Sequence, residues 1–381
     1  MKQISSILVI AAILSPLNLI AGDIKLSGFA TIAGGFTAGK SQVLEGYDDK
    51  PSADKSSLFG IQASSELGKG WSATTQFLAR GVDSWKLDTE WAFLSYEVTD
   101  NWRLLFGRQR APFYIYSDFL DVSYAYHWIK PPSGVYSLVF DVFDGIGSVY
   151  NSSIGKLDST LHVTYGRNRD PAIHLGLEEN LEFSNFFAAS WSISHKWLTL
   201  RSSYSRTNLT VPVTPMQSLY DGWRATPYQD VADKLEALND LADYAGLGIT
   251  FDSKNYLLVA EITRVQPGNN ILPDQDSFYV SVGKHFGPVL FHFTYGEDEN
   301  VADRSILSSV PQNTGTPLDE LVMGTQEAFA MVEDKSAFYT FGVRWEMGES
   351  TALKAEFTRY NNKRDSANNA SLLQMALTTV F

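Results

Sequence analysis

The sequence predicts an all-β fold, a transmembrane antiparallel β-barrel of about sixteen strands, on three observations. Apolar and polar residues alternate in segment after segment, and the connections sort into tight turns and long polar loops. After residue 22, no segment is apolar over the ~20 residues that a spanning helix needs. Only helices and closed barrels satisfy every backbone group in lipid, so a chain of this kind enters a membrane as a barrel.

Each element has its own justification. The alternation is plainest at the C-terminus, where Leu373, Met375, Leu377, Thr379 and Phe381 share one parity and Leu372, Gln374, Ala376, Thr378 and Val380 the other. A strand shows its two faces at period two, so the first set reads as a lipid face and the second as a wet one. The segments are 24–37, 57–67, 70–80, 86–98, 101–110, 146–154, 157–166, 186–196, 198–208, 245–252, 255–265, 276–285, 288–296, 336–347, 351–361 and 371–381. In the third, Trp71, Ala73, Thr75, Phe77 and Ala79 face lipid and leave Ser72, Thr74, Gln76 and Arg80 inside. In the thirteenth, Val289, Phe291, Phe293 and Tyr295 face out and His292 faces in. The fourteenth puts Tyr339, Phe341, Val343 and Trp345 outside, with Thr340, Gly342, Arg344 and Glu346 inside. The fifteenth sets Leu353, Ala355 and Phe357 outside and Lys354, Glu356 and Thr358 inside. A charge on the lipid side at mid-membrane costs roughly 2–4 kcal/mol, and in these strands the charges fall on the other face.

Tight links lie at 68–70, 99–101, 155–156, 195–198, 252–255, 286–288 and 348–350, with longer polar stretches between them. Short inner turns alternating with long outer loops is how outer-membrane barrels are connected. Trp71, Trp102, Trp197 and Trp345 stand beside these turns, where an indole ring suits a membrane interface. At the N-terminus, Lys2, the apolar run Ile7 to Leu14 and a cut near Ala21 or Gly22 read as a secretory signal over 1–22, ahead of a barrel over 23–381.

Composition excludes several classes. The chain has 381 residues and no cysteine, so disulfides and thiolate metal sites are absent; no metal or other cofactor is expected. A formal charge of −13 argues against nucleic acid as a partner, because phosphate binding needs a basic face. The histidines show no local grouping with serine or carboxylate of the kind a rim-sited barrel enzyme needs, so no enzymatic role is expected. Alternation from Ile24 onward leaves no room for the N-terminal plug of an energised transporter. A receptor role for the outer loops is compatible with a channel.

Among the loops, 111–145 is dense in rings (Phe113, Tyr114, Tyr116, Phe119, Tyr124, Tyr126, His127, Trp128) and carries Asp118, Asp121 and Pro131-Pro132. So many rings predict packing against something, and the barrel interior is the nearest surface. Tyr228 to Tyr244 repeats Val231, Leu235, Leu238 and Leu241 near helical spacing, which predicts an amphipathic lid, and Leu318 to Val332 is similar.

The segment Leu104-Leu105-Phe106-Gly107-Arg108-Gln109-Arg110-Ala111-Pro112-Phe113 resembles the strand-to-third-loop signature of Gram-negative general porins. Leu26-Ser27-Gly28-Phe29-Ala30 resembles that family's first strand, Asp144-Gly145-Ile146 to Tyr150-Asn151-Ser152 its return from the loop, and the terminal Phe381 its assembly signal. The resemblance implies a sixteen-stranded, usually trimeric barrel in the cell outer membrane, among lipid and lipopolysaccharide. It also implies recognition of Phe381 by the barrel assembly machinery, and a third loop that narrows a pore for small hydrophilic solutes and ions. Loop carboxylates then face arginines on the wall. Carried over, Arg108 matches the wall arginine, and Asp118 and Asp121 are the loop carboxylates. Arg80 joins from parity, and Arg110 stands just before the loop. Arg201, Arg344, Lys25 and Lys354 compete in the lumen with Glu90, Glu261, Glu346 and Glu356, leaving ion preference open. The fifth strand's parity is ambiguous, since Trp102, Leu104 and Phe106 share that of Arg108. A loop this aromatic also allows a tighter, substrate-selective channel.

Overall fold

Alternation at period two leaves each segment with an apolar face and an unpaired backbone edge; closing the sheet on itself pairs the edge, and the apolar face is turned outward. The computed structural model describes residues 23–138, 140–168 and 181–381, so the signal segment 1–22 lies outside the described residues. Sixteen strands form the wall: β1 (Lys25–Thr37), β2 (Leu58–Gly68), β3 (Trp71–Arg80), β4 (Leu87–Thr99), β5 (Trp102–Arg110), β6 (Val142–Ile154), β7 (Leu157–Asn168) and β8 (Glu182–His195). They continue as β9 (Leu198–Val211), β10 (Ala237–Asp252), β11 (Tyr256–Gln266), β12 (Asp274–Phe286), β13 (Val289–Val301), β14 (Asp334–Glu346), β15 (Thr351–Asn362) and β16 (Ala370–Val380). Each pairs with its chain neighbours, and β16 returns to β1 to close the barrel.

The seam runs antiparallel from Phe29 opposite Val380 to Thr37 opposite Leu372. Gly28 N–H donates to Phe381 O at 2.8 Å, and Phe381 N–H donates to Gly28 O at 2.9 Å. On β16, Leu373, Met375 and Leu377 are exposed outward while Leu372, Gln374, Ala376 and Thr378 are buried inward, the division the sequence predicts. The tight turns are left-handed where they must be, with positive φ at Lys69, Gly70, Gly155, Lys196 and Gly287. Trp71, Trp102, Trp197 and Trp345 stand exposed on the outside beside them.

Several strands run further outward than alternation alone suggests: β6 starts at Val142, β8 at Glu182 and β10 at Ala237. The last corrects the helix expected over Tyr228 to Tyr244. The helix is α2 (Gln229–Leu235), preceded by α1 (Gln217–Arg224), and Glu236 is already extended. Leu238, inside a bulge between Ala237 and Asp240, and Leu241, just beyond it, are exposed on the strand and not part of the helix. The second helix, α3 (Leu318–Val332), has the bounds the sequence predicts. The three helices share a small core of Trp223, Val231, Leu235, Ile306 and Phe329 among the outer loops. Arg304 and Arg364 both bond the buried Glu333 carboxylate, at 2.8 Å and 2.6 Å, tying this cap to the loop after β15.

Three glycines, Gly107, Gly145 and Gly166, lie side by side across β5, β6 and β7, just inside the points where the third loop leaves and rejoins the wall. A Cβ built on Gly145 would stand 2.2 Å from the Tyr165 carbonyl oxygen, a backbone atom that cannot swing aside. Gly145→Val is therefore expected to destabilise the barrel by about 1–3 kcal/mol through overpacking. A loss of the compact, heat-modifiable band in gel electrophoresis of unboiled protein checks this.

Candidate functional site

A loop at membrane depth that is neither helix nor strand must find partners for its backbone from the wall. The third loop spans 111–141 and turns inward at once, with Ala111 N–H donating to Asp141 O at 2.7 Å across its root. Its rings then fill the interior. Phe113, Tyr114, Tyr126 and Trp128 join Phe143, Phe186, Tyr244, Val259, Tyr279, Leu290 and Phe338 of the wall in one buried cluster. The rings pack edge to face in several places, as their quadrupoles favour, Phe113 on Tyr244 at 5.1 Å and Trp128 on Tyr279 at 5.3 Å among them.

Charged and hydroxyl side chains of the wall take up the loop's backbone groups. Glu261 on β11 accepts from Ile115 N–H at 2.9 Å, and its other oxygen accepts from the hydroxyls of Tyr136 and Tyr279. Glu356 on β15 accepts from Ile129 N–H at 2.8 Å. Lys354, wholly buried, donates to the carbonyls of Ser123 (2.5 Å), Tyr126 (2.8 Å) and Trp128. Arg344 donates to those of Tyr124 and Tyr126 at 2.8 Å and 2.5 Å. Ser203 and Tyr244 donate to Phe113 O, and Arg201 donates to Pro112 O at 3.2 Å. Trp128 closes the set with its indole N–H on Thr294 Oγ1 at 2.8 Å.

On the opposite wall lies a cluster of charges. A bulge between Gln76 and Phe77 inserts Glu90 into β4 and turns its carboxylate inward. Arg80 bonds Glu90 at 2.7 Å and Asp121 at 3.0 Å; Arg110 bonds Glu90 at 2.9 Å and Asp121 at 2.5 Å. Burial by itself raises the Asp121 carboxyl, but the Arg110 and Arg80 guanidiniums outweigh it and hold the group down at about 2. Glu90, Asp121 and Asp141 are close enough to share a cation, yet Arg110 already reaches all three, the last at 3.6 Å.

The structure thus brings together Arg80, Arg110, Glu90 and Asp121. It does not bring in Arg108, and here the sequence-based assignment is corrected. Arg108 stands opposite Ala92 and Asp144, on the row of the outward-facing Phe106 and Ile146, and pairs with Asp144 at 3.2 Å. The strand keeps its period through Gly107, so the parity shared with Trp102 and Phe106 decides the matter, while Arg110 escapes it because the chain is already turning inward at the strand's end. Asp118 stands apart from the cluster. Exposed at the loop's tip beside Phe119, it lies within electrostatic reach of His162, which in turn feels Arg103 and Arg201. Arg103 was missed from sequence, although its parity, opposite to that of Trp102, marks it as inward. Lys25 is exposed at the inner end of β1, and Glu346 pairs with Arg344 at 2.6 Å.

The loop therefore divides the interior. Inward residues of β10 to β16, such as Tyr244, Tyr279, Ser281, Thr294, Lys354 and Ala376, are buried against it. Gln62, Ser64, Thr74, Thr160, His162 and Arg201, on β2 to β9, stay partly exposed.

A family profile for Gram-negative porins matches residues 6–378. No curated protein matches in sequence. Among solved structures, the chain resembles OmpF of Salmonella typhi in complex with daunomycin, with a TM-score of 0.60 at 10% identity, covering 94% of this chain and 98% of that one. It resembles the anion-selective porin of Comamonas acidovorans at 0.57 and 11%, covering 94% and 99%. A loop L8 deletion mutant of OmpT, an outer membrane protein of Vibrio cholerae, gives 0.58 and 14%, covering 95% and 100%. At these identities the likeness shows the fold alone.

Removing one partner from a buried charge cluster leaves the others uncompensated, so Asp121→Asn is expected to cost about 3–5 kcal/mol of stability. The pH dependence has a definite sign. The folded carboxyl titrates at about 2, below the ordinary ~3.9 of an unfolded Asp, so its contribution is complete above the unfolded value and is lost as pH falls through 2. Thermal unfolding of wild type and Asp121→Asn between pH 7 and pH 2 should show a gap that is constant above about pH 5 and closes toward pH 2.

Proposed function

We propose that this chain, which belongs to the Gram-negative porin family and forms an outer-membrane channel, conducts small hydrophilic solutes and ions passively through an off-centre throat. One observation carries the reading. The third loop is pinned against β10 to β16 and against part of β8 and β9, so the polar row that keeps solvent exposure runs along β2 to β7 and reaches Arg201 on β9; Asp118 lies within electrostatic reach of His162, which in turn feels Arg103 and Arg201. Opposed charges across a narrow, low-dielectric gap make a transverse field that orients polar solutes and sorts ions. The Arg80–Arg110–Glu90–Asp121 cluster acts from beside the throat, fixing the loop's near edge to the wall. The work done on the solute is positioning and filtering, without covalent chemistry.

The filling of the loop side by Phe113, Tyr114, Trp128 and Tyr279 favours a tight, selective passage over a wide one. Association into a trimer is favoured by the outward face of β1 to β4 and β16. Its outward positions carry no charge, and Ala63, Ala73, Thr75 and Ala92 leave a shallow dent there bounded by Leu94 and Phe106. Phe381, whose ring lies over Gly28 and 6.3 Å from that of Phe59, is the assembly signal in this reading.

Purified protein in a planar bilayer is expected to give stable stepwise conductance, and a silent bilayer with correctly folded barrel overturns the proposal. Reversal potentials in a salt gradient locate the throat. Asp118→Asn should move selectivity toward anions and Arg201→Gln toward cations, while Arg108→Ala should leave it unchanged. Lys354→Met, which removes the ammonium that holds three loop carbonyls, should add flickering or a higher conductance level.

A further inference from the structure

Strand β4 departs from the rule that polar side chains face the lumen. Residues directly opposite one another on paired strands share a face, and Trp91 stands opposite the inward Gln76 while Phe93 stands opposite Thr74 and Gly107. Ala92 and Leu94, between and beyond them, are exposed on the lipid face. Trp91 and Phe93 are half-buried, with ring centroids 6.2 Å apart. The Trp91 indole nitrogen is buried, so the part of this ring that the lumen meets is carbon.

The third loop adds another bare ring. Glu90, the residue before Trp91, shares Arg110 with Asp121, and Phe119 lies two residues before Asp121 at the loop's tip, 50% exposed. Two residues of chain span at most ~7 Å, so the cluster that anchors the loop also brings Phe119 to this stretch of wall. On one side of Phe93 the row continues through the hydroxyls of Thr74 and Ser64. On the other it continues as Gly107, Gly145 and Gly166, which carry no side chain and leave the wall flat. Gln76, beside Trp91, donates to Gln62 at 3.1 Å, so the neighbouring row is amide. Charges of the open side come in both signs: Arg103 stands across from Glu97, and Asp118 and Arg201 both lie within electrostatic reach of His162.

The face of an aromatic ring carries a negative potential, which attracts C–H groups polarised by a neighbouring oxygen. A solute with a face of such C–H groups and an edge of hydroxyls matches rings flanked by serine, threonine and glutamine, and a pyranose has that form. A flat aromatic solute stacks equally well, but it strips water from the wall's hydroxyls and amides and returns no hydrogen bonds. Charges of both signs set no demand for a net charge on the solute. We propose that Trp91, Phe93 and Phe119 form a subsite on the conduction path for neutral pyranose sugars, stacked on the rings by their C–H faces and hydrogen-bonded at their edges by Ser64 and Thr74. The proposal rests on the channel reading above and adds to it a solute class. Such a subsite holds its solute weakly, as passage requires, since what enters must also leave.

The test titrates purified protein in planar bilayers with glucose, cellobiose, the acyclic polyol sorbitol and benzoate, and repeats the titration by saturation-transfer NMR on protein solubilised in a sugar-free detergent. Ion conductance is expected to fall saturably with glucose, and at lower concentration with cellobiose, while sorbitol lowers it only as far as bulk viscosity does. Saturation should be strongest on the ring C–H protons of the sugar. Trp91→Ala should raise the half-saturating cellobiose concentration about three- to tenfold, the loss of one stacking partner, and Trp91→Phe should recover most of it. Phe119→Ala, at an exposed loop tip, should raise it about twofold, and it carries the test if Trp91→Ala loses heat-modifiable migration. Equal effects of glucose and sorbitol overturn the proposal, as do ring variants that bind cellobiose like wild type. Benzoate that binds more tightly than cellobiose, with the same dependence on Trp91, assigns the rings to aromatic solutes and overturns the sugar assignment. Failure of the channel reading is separate: it appears as a silent bilayer, while saturation transfer still decides the subsite.

Discussion

Every feature of this molecule answers to the cost of leaving a backbone N–H or C=O unpaired where water cannot reach it. The wall meets that demand by closing β1 on β16, so that the last residue, Phe381, exchanges two hydrogen bonds with Gly28. The third loop cannot meet it alone, because it is neither helix nor strand over most of its course. The peptide groups its own short turns leave over, among them those of Ile115, Ser123, Tyr126, Trp128 and Ile129, are satisfied by the wall, and this is why Glu261, Glu356, Lys354 and Arg344 are charged and buried at once. Seen this way, the inward charges on β11, β14 and β15 hold a segment of chain before they filter anything.

The same constraint explains why the interior is asymmetric. A loop anchored along one side by both carboxylates and cations has one arrangement, and the aromatic residues it carries complete a dry core there. Water and solute are left the other side, where serine, threonine, glutamine and a few basic residues line β2 to β9. The charge cluster of Arg80, Arg110, Glu90 and Asp121 fixes the near edge of the partition. Buried ion clusters contribute little net stability, since desolvation offsets attraction, but once built they penalise the loss of any member. Such a cluster specifies where the loop lies more than how tightly.

Outside, the wall is sorted in a second direction. An apolar band with tryptophans at the inner turns gives way to charged pairs at the outer ends of β5 to β7 and β9 to β15, and to an uncharged face elsewhere. Glycine has a local part in this construction. The row Gly107, Gly145 and Gly166 gives the backbones room where the loop is rooted, and a Cβ at any of the three would strike a neighbouring carbonyl.

The sequence by itself determined the number of strands, the sorting of turns from loops, the inner and outer faces of β3 and β13 to β16, and α3 with its bounds. These follow from periodicity and turn chemistry, which are local. It also named Arg80, Glu90, Asp121 and Arg110 as members of a charged interior. What only the tertiary structure decided is which of them meet. A bulge at Glu90 and the inward turn after Arg110 are single-residue departures from period two, and no pattern of period two can anticipate them. Arg108 went the other way by keeping the strand's period: its parity was legible, but the resemblance of its motif outweighed it. Leu238 and Leu241, three residues apart, are both exposed on a strand because the bulge between Ala237 and Asp240 breaks the period there, and this imitates helical spacing. The course of the third loop, and with it the side on which the passage is left open, depends on contacts between residues more than 100 positions apart, such as Ile115 with Glu261 and Ile129 with Glu356. Distance along the chain hides such pairs from sequence, and only the closed wall brings them face to face.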